Sequence, residues 1–215
     1  MNNKDVVAIN PNNFGWLEYR LDKQELDFVW RCIDKREKST FKNNLAGNIS
    51  ESNTLLDRGD WFWTNTIQPL VKIHIKEFGT ELRSYDKPHP YYMNTWWVNY
   101  QKKNEFNPLH DHTGSYSFVI WMKIPTSHFQ QNKKPISLFS NSHSISNFQF
   151  IYTDTLGNVR MQDYELSPKD EGRLLFFPGK LKHCVYPFYD CDEERISVSG
   201  NILVDSTRTI PFGSP

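Results

Sequence analysis

From residue 91 onward the chain is written in short apolar and aromatic runs broken by Pro, Gly, Asn and Asp, which restricts its second half to β-sheet. The runs fall at 94–100, 116–124, 148–153, 159–166, 173–177, 184–186 and 195–204. Residues 154–158, containing Leu156-Gly157-Asn158, read as a hairpin turn. The first 90 residues have a different texture. Residues 1–13 are polar and Asn-rich, which suggests a loose arm or a short edge strand around 14–21. Over 22–38 the apolar positions Leu26, Phe28, Val29, Cys32 and Ile33 recur at three- and four-residue spacing, with Asp22 as N-cap and Glu25 completing a capping box. A polar stretch, 42–53, separates this helix from a second helical pattern through Trp61, Ile67, Leu70, Val71, Ile73, Ile75 and Phe78, which should stop at Gly79. Two helices followed by seven or eight strands predict an α+β, mainly β chain whose helices buttress one face of a β-sandwich or barrel.

The 215 residues suit a single domain, with 1–90 as its helical part and 91–205 as its β core. Lys plus Arg (25) equals Asp plus Glu (25), so no overall field draws the chain to nucleic acid or to an anionic membrane. Cys32, Cys184 and Cys191 have no Cys-x-x-Cys spacing, which argues against a disulfide scaffold or a zinc ribbon. No run approaches the length of a membrane span, and the N-terminus lacks the pattern of a signal peptide; the expectation is a soluble, cytoplasmic protein.

Two of the seven histidines, His110 and His112, sit two apart just ahead of a strand. In extended backbone i and i+2 share a face, so both imidazoles can converge on one ion while Asp111 points away. Two such ligands need a third to build an open site, and imidazole suits iron, zinc, copper or nickel. The candidate is His183, which follows the apolar run 173–177 and a Pro178-Gly179 turn and opens the next strand. Taken alone, a His-x-His pair describes ordinary surface histidines as readily as ligands. The last strand adds a second element. Its even positions are Ile196, Val198, Ile202 and Val204, with Gly200 among them, and its odd positions are Arg195, Ser197, Ser199 and Asn201. If the polar face lines the barrel interior, Arg195 can grip a carboxylate and Ser197 can donate to it; the alternative is a half-exposed strand with a solvated face.

The ordered set resembles the iron(II)- and 2-oxoglutarate-dependent oxygenases, and among them the prolyl-hydroxylase-like ones. The resemblance spans 94–204: a His-x-Asp or His-x-Glu pair, a distal His, then a basic residue often opening Arg-x-Ser, matched here by His110, His183, Arg195 and Ser197. It implies a double-stranded β-helix (jelly roll, cupin-like), Fe(II) held by His110, His112 and His183, and 2-oxoglutarate as co-substrate held by Arg195 and Ser197. Tyr100, ten residues before His110, resembles a tyrosine near the oxoacid pocket of such enzymes. The implied activity is hydroxylation of a protein, peptide or small-molecule substrate. The chain departs from the family where His112 stands in the carboxylate position and Asp111 is displaced by one residue. Three readings follow: a three-histidine site, which is favoured, a bulge that lets Asp111 bind instead, or a site that has lost its metal.

Two other functions compete with the oxygenase reading. One is a non-catalytic jelly-roll binding module whose aromatics do the work; the other is a cupin-type metalloenzyme that does not use 2-oxoglutarate. Trp97, Trp121 and Lys123 are candidates for the pocket mouth, although core packing accounts for large aromatics just as well. His128 and His143 lie in polar segments and are not expected to be ligands.

Overall fold

The computed structural model describes residues 15–36, 42, 45–79 and 89–209. Among the described residues, ten strands form two antiparallel sheets, with two helices on the outer face of the larger one. The strands are β1 (Leu17–Arg20), β2 (Glu51–Thr54), β3 (Tyr91–Gln101), β4 (Asn107–His110), β5 (Tyr116–Lys123), β6 (Phe148–Thr153), β7 (Val159–Tyr164), β8 (Arg173–Pro178), β9 (Lys182–Val185) and β10 (Arg195–Val204). The major sheet runs β1-β8-β5-β10-β3-β2 and the minor sheet β4-β9-β6-β7. This is the double-stranded β-helix expected from the resemblance.

Helix α1 (Lys23–Asp34) begins as its sequence predicts: the Asp22 carboxylate accepts from Glu25 N–H at 2.9 Å, and the Glu25 carboxylate accepts from Asp22 N–H at 2.8 Å. Glu25 also accepts from Thr66 at 2.7 Å and from Tyr19 at 2.9 Å, so the cap ties the helix to its neighbours. Helix α2 (Gln68–Phe78) is preceded by a π-helical turn, Trp63–Ile67, and ends at Gly79 with φ 81°, where a residue without Cβ is at ease. Among the described residues, no helix is long and apolar enough to cross a membrane.

Side-chain parity in three strands decides what each layer holds. Trp96, Val98 and Tyr100 of β3, Phe118, Ile120 and Met122 of β5, and Leu174 and Phe176 of β8 face the helices. There they pack with Val29 and Ile33 of α1, and Leu70 and Val71 of α2. The intervening Val119, Trp121, Leu175 and Phe177 face inward, against Phe148 and Phe150 of the minor sheet. Burying each such side chain contributes roughly 1.5–3 kcal/mol, so a one-residue slip that exchanged the faces would cost more than any loop contact returns. Gly200 is fixed by the same packing, since a Cβ there would lie 2.5 Å from the Phe118 ring.

The structure corrects the N-terminal expectation in one respect. The 42–53 stretch is not merely a connector: Glu51–Thr54 is β2, paired with β3, and Leu45, Ala46 and Ile49 reach the inner cavity. Its polar composition hid this, because β2 is an edge strand. The edge strand expected near 14–21 is β1, paired with β8; Phe14, like Lys38 of the first helical pattern and the arm 1–13, lies outside the described residues.

Candidate metal and oxoacid site

Strand pairing brings the histidines together. β4 and β9 are antiparallel, with His110 directly opposite His183. Beyond β4 the chain is bound to the β8–β9 turn: His112 N–H donates to the Gly179 carbonyl at 2.8 Å, and Gly179 N–H donates to that of Ser115, also at 2.8 Å. The backbones come so close that a Cβ on Gly179 would lie 2.0 Å from the Gly114 carbonyl oxygen. The Pro-Gly turn is therefore the clamp that presses the His112 segment onto His183.

The ligand nitrogens of His110, His112 and His183 all lie within 4.8 Å of one another, the one such metal-competent cluster among the described residues. His110 Nδ1 lies 2.7 Å from the Pro108 carbonyl and His183 Nδ1 lies 2.9 Å from that of Leu181. Each carbonyl fixes the Nδ1–H tautomer, which leaves Nε2 with its lone pair free to bind. The Asn201 side chain hydrogen-bonds the His112 ring. His112 Nε2 and His183 Nε2 are 3.1 Å apart. Two nitrogens at right angles on one ion, each at about 2.1 Å, would be separated by about 3 Å, so these residues fit a divalent metal.

Electrostatics supports the same state. Burial, then repulsion from His110, lowers the His112 pKa to about 4. Burial, then His110 and His112, holds His183 well below the ordinary imidazole value, and burial lowers His110. All three rings are neutral at physiological pH, as metal ligands must be. Asp111 is otherwise engaged. Its carboxylate pairs with Lys182 and, at 3.5 Å, with Lys180, and the lysines hold its pKa down.

Arg195 lines the same cavity of about 180 Å³ as the three histidines, together with Ser197 and Ser199. The polar face of β10 is thus the inner face. Arg195 is 1% exposed, and no carboxylate pairs with it among the described residues. Burial alone lowers its pKa to about 10, and it remains a cation at neutral pH.

Tyr100 is not brought to the site. It stands on the helix-facing side of β3, with the Arg36 guanidinium 5.0 Å from its ring centroid. The inward positions are its neighbours Asn99 and Gln101, which line the cavity with Trp97 and Trp121. Lys123 pairs with Glu193 at 2.8 Å and is not part of the lining. Strand parity could have identified Asn99 and Gln101, since both share the face of Trp97. His128 is held by the Ile145 carbonyl and is no part of the cluster.

Residues 95–201 match the family described as "Putative 2OG-Fe(II) oxygenase". This makes the chain a member of the iron(II)- and 2-oxoglutarate-dependent oxygenases. Fe(II) and 2-oxoglutarate are accordingly its metal and co-substrate, and it is a 2-oxoglutarate-dependent dioxygenase. Similar solved structures include a Pseudomonas putida prolyl-4-hydroxylase (13% identity, 90% of this chain and 94% of that one, TM-score 0.51). A Trichoplax adhaerens prolyl hydroxylase in complex with a hypoxia inducible factor peptide fragment aligns at 12% identity (94% and 88%, TM-score 0.50). The non-heme alpha ketoglutarate dependent carbocyclase SnoK, from nogalamycin biosynthesis, aligns at 8% identity (89% and 80%, TM-score 0.53). At these identities the likeness concerns the fold alone. No curated protein matches the sequence.

Proposed function

We propose that this oxygenase hydroxylates a protein, peptide or small-molecule substrate, with His110, His112 and His183 holding Fe(II) and Arg195 and Ser197 receiving the distal carboxylate of 2-oxoglutarate. The observation that carries the reading is the unpaired, buried Arg195 in one cavity with three neutral imidazoles. A buried cation without a counter-charge is costly, and a site that takes a dianion accounts for it. When bound, the iron and the oxoacid would together activate dioxygen, one oxygen atom going into succinate as carbon dioxide leaves and the other into the substrate C–H bond. The chain's own residues have narrower tasks. The histidines orient the metal through rings set by the Pro108 and Leu181 carbonyls and by Asn201. Trp97, Trp121, Phe148 and Phe177 line the cavity beside these polar groups and help exclude water.

The cavity volume bears on the substrate. About 180 Å³ is less than the roughly 300–1,000 Å³ that engulfs a drug-sized ligand. With the co-substrate inside, this favours a substrate that presents one projecting group to the cavity rather than one that is engulfed. A cupin-type enzyme without 2-oxoglutarate would leave Arg195 without a task, and a binding module would leave the histidine cluster without one.

The test is succinate formation from 2-oxoglutarate by anaerobically iron-loaded protein, compared with His183→Ala and Arg195→Ala. Uncoupled turnover in the wild type that both variants lose is expected. No turnover, together with no oxoacid-dependent absorption band, would overturn the reading.

A further inference from the structure

Arg195 is held by three oxygens, all uncharged. Nη2 donates to the Ser146 carbonyl at 3.0 Å and to the Ser146 hydroxyl at 2.5 Å, and Nη1 donates to Gln101 Oε1 at 3.4 Å. The Gln101 amide is itself oriented, because its Nε2 donates to the Glu105 carbonyl at 2.6 Å, which turns Oε1 toward the guanidinium. Ser146 is fully buried and adopts φ 65°, a left-handed conformation that costs a serine energy, and its N–H is tied to the Pro187 carbonyl at 3.0 Å. The Phe188 ring lies beneath the guanidinium at 5.1 Å. Arg195 Nε has no hydrogen-bond partner. The cation is therefore positioned on several sides without being neutralised.

We propose that Gln101 and Ser146 form a neutral cradle that determines co-substrate specificity: it orients Arg195 while leaving its charge uncompensated, so that the site selects a 2-oxoacid bearing a second, distal carboxylate. This rests on the reading of Arg195 given above. A Glu or Asp at either position would supply the counter-charge from within and compete with the ligand. Gln is isosteric with Glu, so the sequence is one functional group away from a closed site. The chain thus forgoes a buried ion pair, and the stability that pair could bring, to keep the anion site open.

The experiment measures binding to the full chain loaded with Mn(II), where no turnover interferes. Calorimetry gives dissociation constants for 2-oxoglutarate and for pyruvate, a 2-oxoacid without a distal carboxylate, and thermal unfolding gives the midpoint. The variants are Gln101→Glu, Ser146→Asp and Ser146→Asn, the last a neutral control, since Asn and Asp both tolerate the left-handed backbone. Expected are a loss of about 100-fold in 2-oxoglutarate affinity in both acidic variants, unchanged pyruvate affinity and a raised midpoint. The Asn variant, which alters the same contacts without adding charge, should lose at least about tenfold less 2-oxoglutarate affinity than Ser146→Asp. Unaltered 2-oxoglutarate binding in the acidic variants, or an equal loss for pyruvate, would refute the proposal. So would failure of both acidic variants to fold, since a carboxylate there is expected to stabilise. Absence of 2-oxoglutarate binding in the wild type would instead overturn the functional reading on which the proposal rests.

Discussion

Three neutral histidines, His183 buried and His110 and His112 partly buried, make the metal-free protein sensitive to acid, and the size of the effect follows from the site. His112 has its pKa lowered to about 4 by burial and by His110, whereas an unfolded histidine titrates near 6.5. The folded form therefore binds fewer protons than the unfolded chain below about pH 6.5, and stability falls as pH falls until the folded value is reached. At about pH 5 the contribution is RT ln[(1 + 10^1.5)/(1 + 10^−1)], or about 2 kcal/mol lost to His112 alone. His110 and His183 are lowered for the same reasons and add in the same direction. Because native domains are stable by only about 5–15 kcal/mol, these losses would bring the metal-free protein close to unfolding. The assay is urea unfolding of chelator-treated protein between about pH 7.5 and pH 5, with wild type compared to His112→Gln. The variant should lose about 2 kcal/mol less over that interval. An identical loss in both proteins would show that His112 takes up protons as readily in the fold as outside it, and the account of a neutral, desolvated cluster would fail.

Two further outcomes test the geometry. His112→Ala should weaken Co(II) or Mn(II) binding by at least about 100-fold, while Asp111→Asn should leave it within about threefold, because the Asp111 carboxylate is committed to Lys180 and Lys182; chelator competition measures both, and the reverse order would restore Asp111 as the ligand. Gly179→Ala should cost about 2–3 kcal/mol of stability and weaken metal binding as well, since its Cβ would meet the Gly114 carbonyl and push the His112 segment off the turn; denaturation and metal titration of the same sample would reveal a merely local effect if affinity were unchanged.

What the sequence made legible follows a physical division. α1 was readable because its cap and its buried stripe lie within one short window, and β10 because alternation over ten residues separates Arg195 and Ser197 from Val198 and Ile202. His110 and His112 were legible as a pair from their two-residue spacing, although β4 ends at His110 and the backbone bond to Gly179 sets His112. Tyr100 failed for the complementary reason. A count of ten residues back from His110 says nothing of parity, and parity places Tyr100 among the helices while Asn99 and Gln101 face the cavity. Ser146 carried no local signal at all, being a serine in a polar loop that becomes a buried partner of Arg195 only when two residues 49 positions apart are brought together. β2 was hidden because an edge strand needs no apolar run, its stability coming from the hydrogen bonds of β3.

The exchange of a carboxylate for His112 has consequences beyond the metal. With His112 as the proposed third ligand, a bound divalent ion would keep its full charge, and the Asp111 carboxylate in the cavity wall would not offset it, because two lysines share it. Arg195 adds a further positive charge to the same small cavity. In a low-dielectric enclosure such charges are strongly felt, so the site repels the metal when empty of anion and attracts a dianion when metal is present. Metal and oxoacid binding should therefore be positively coupled, each tightening the other by the same factor, and the coupling should shrink in Arg195→Ala while persisting in Ser197→Ala. Here the arginine and the histidines act as one electrostatic unit, and the neutrality of the Gln101 and Ser146 cradle is what keeps that unit intact.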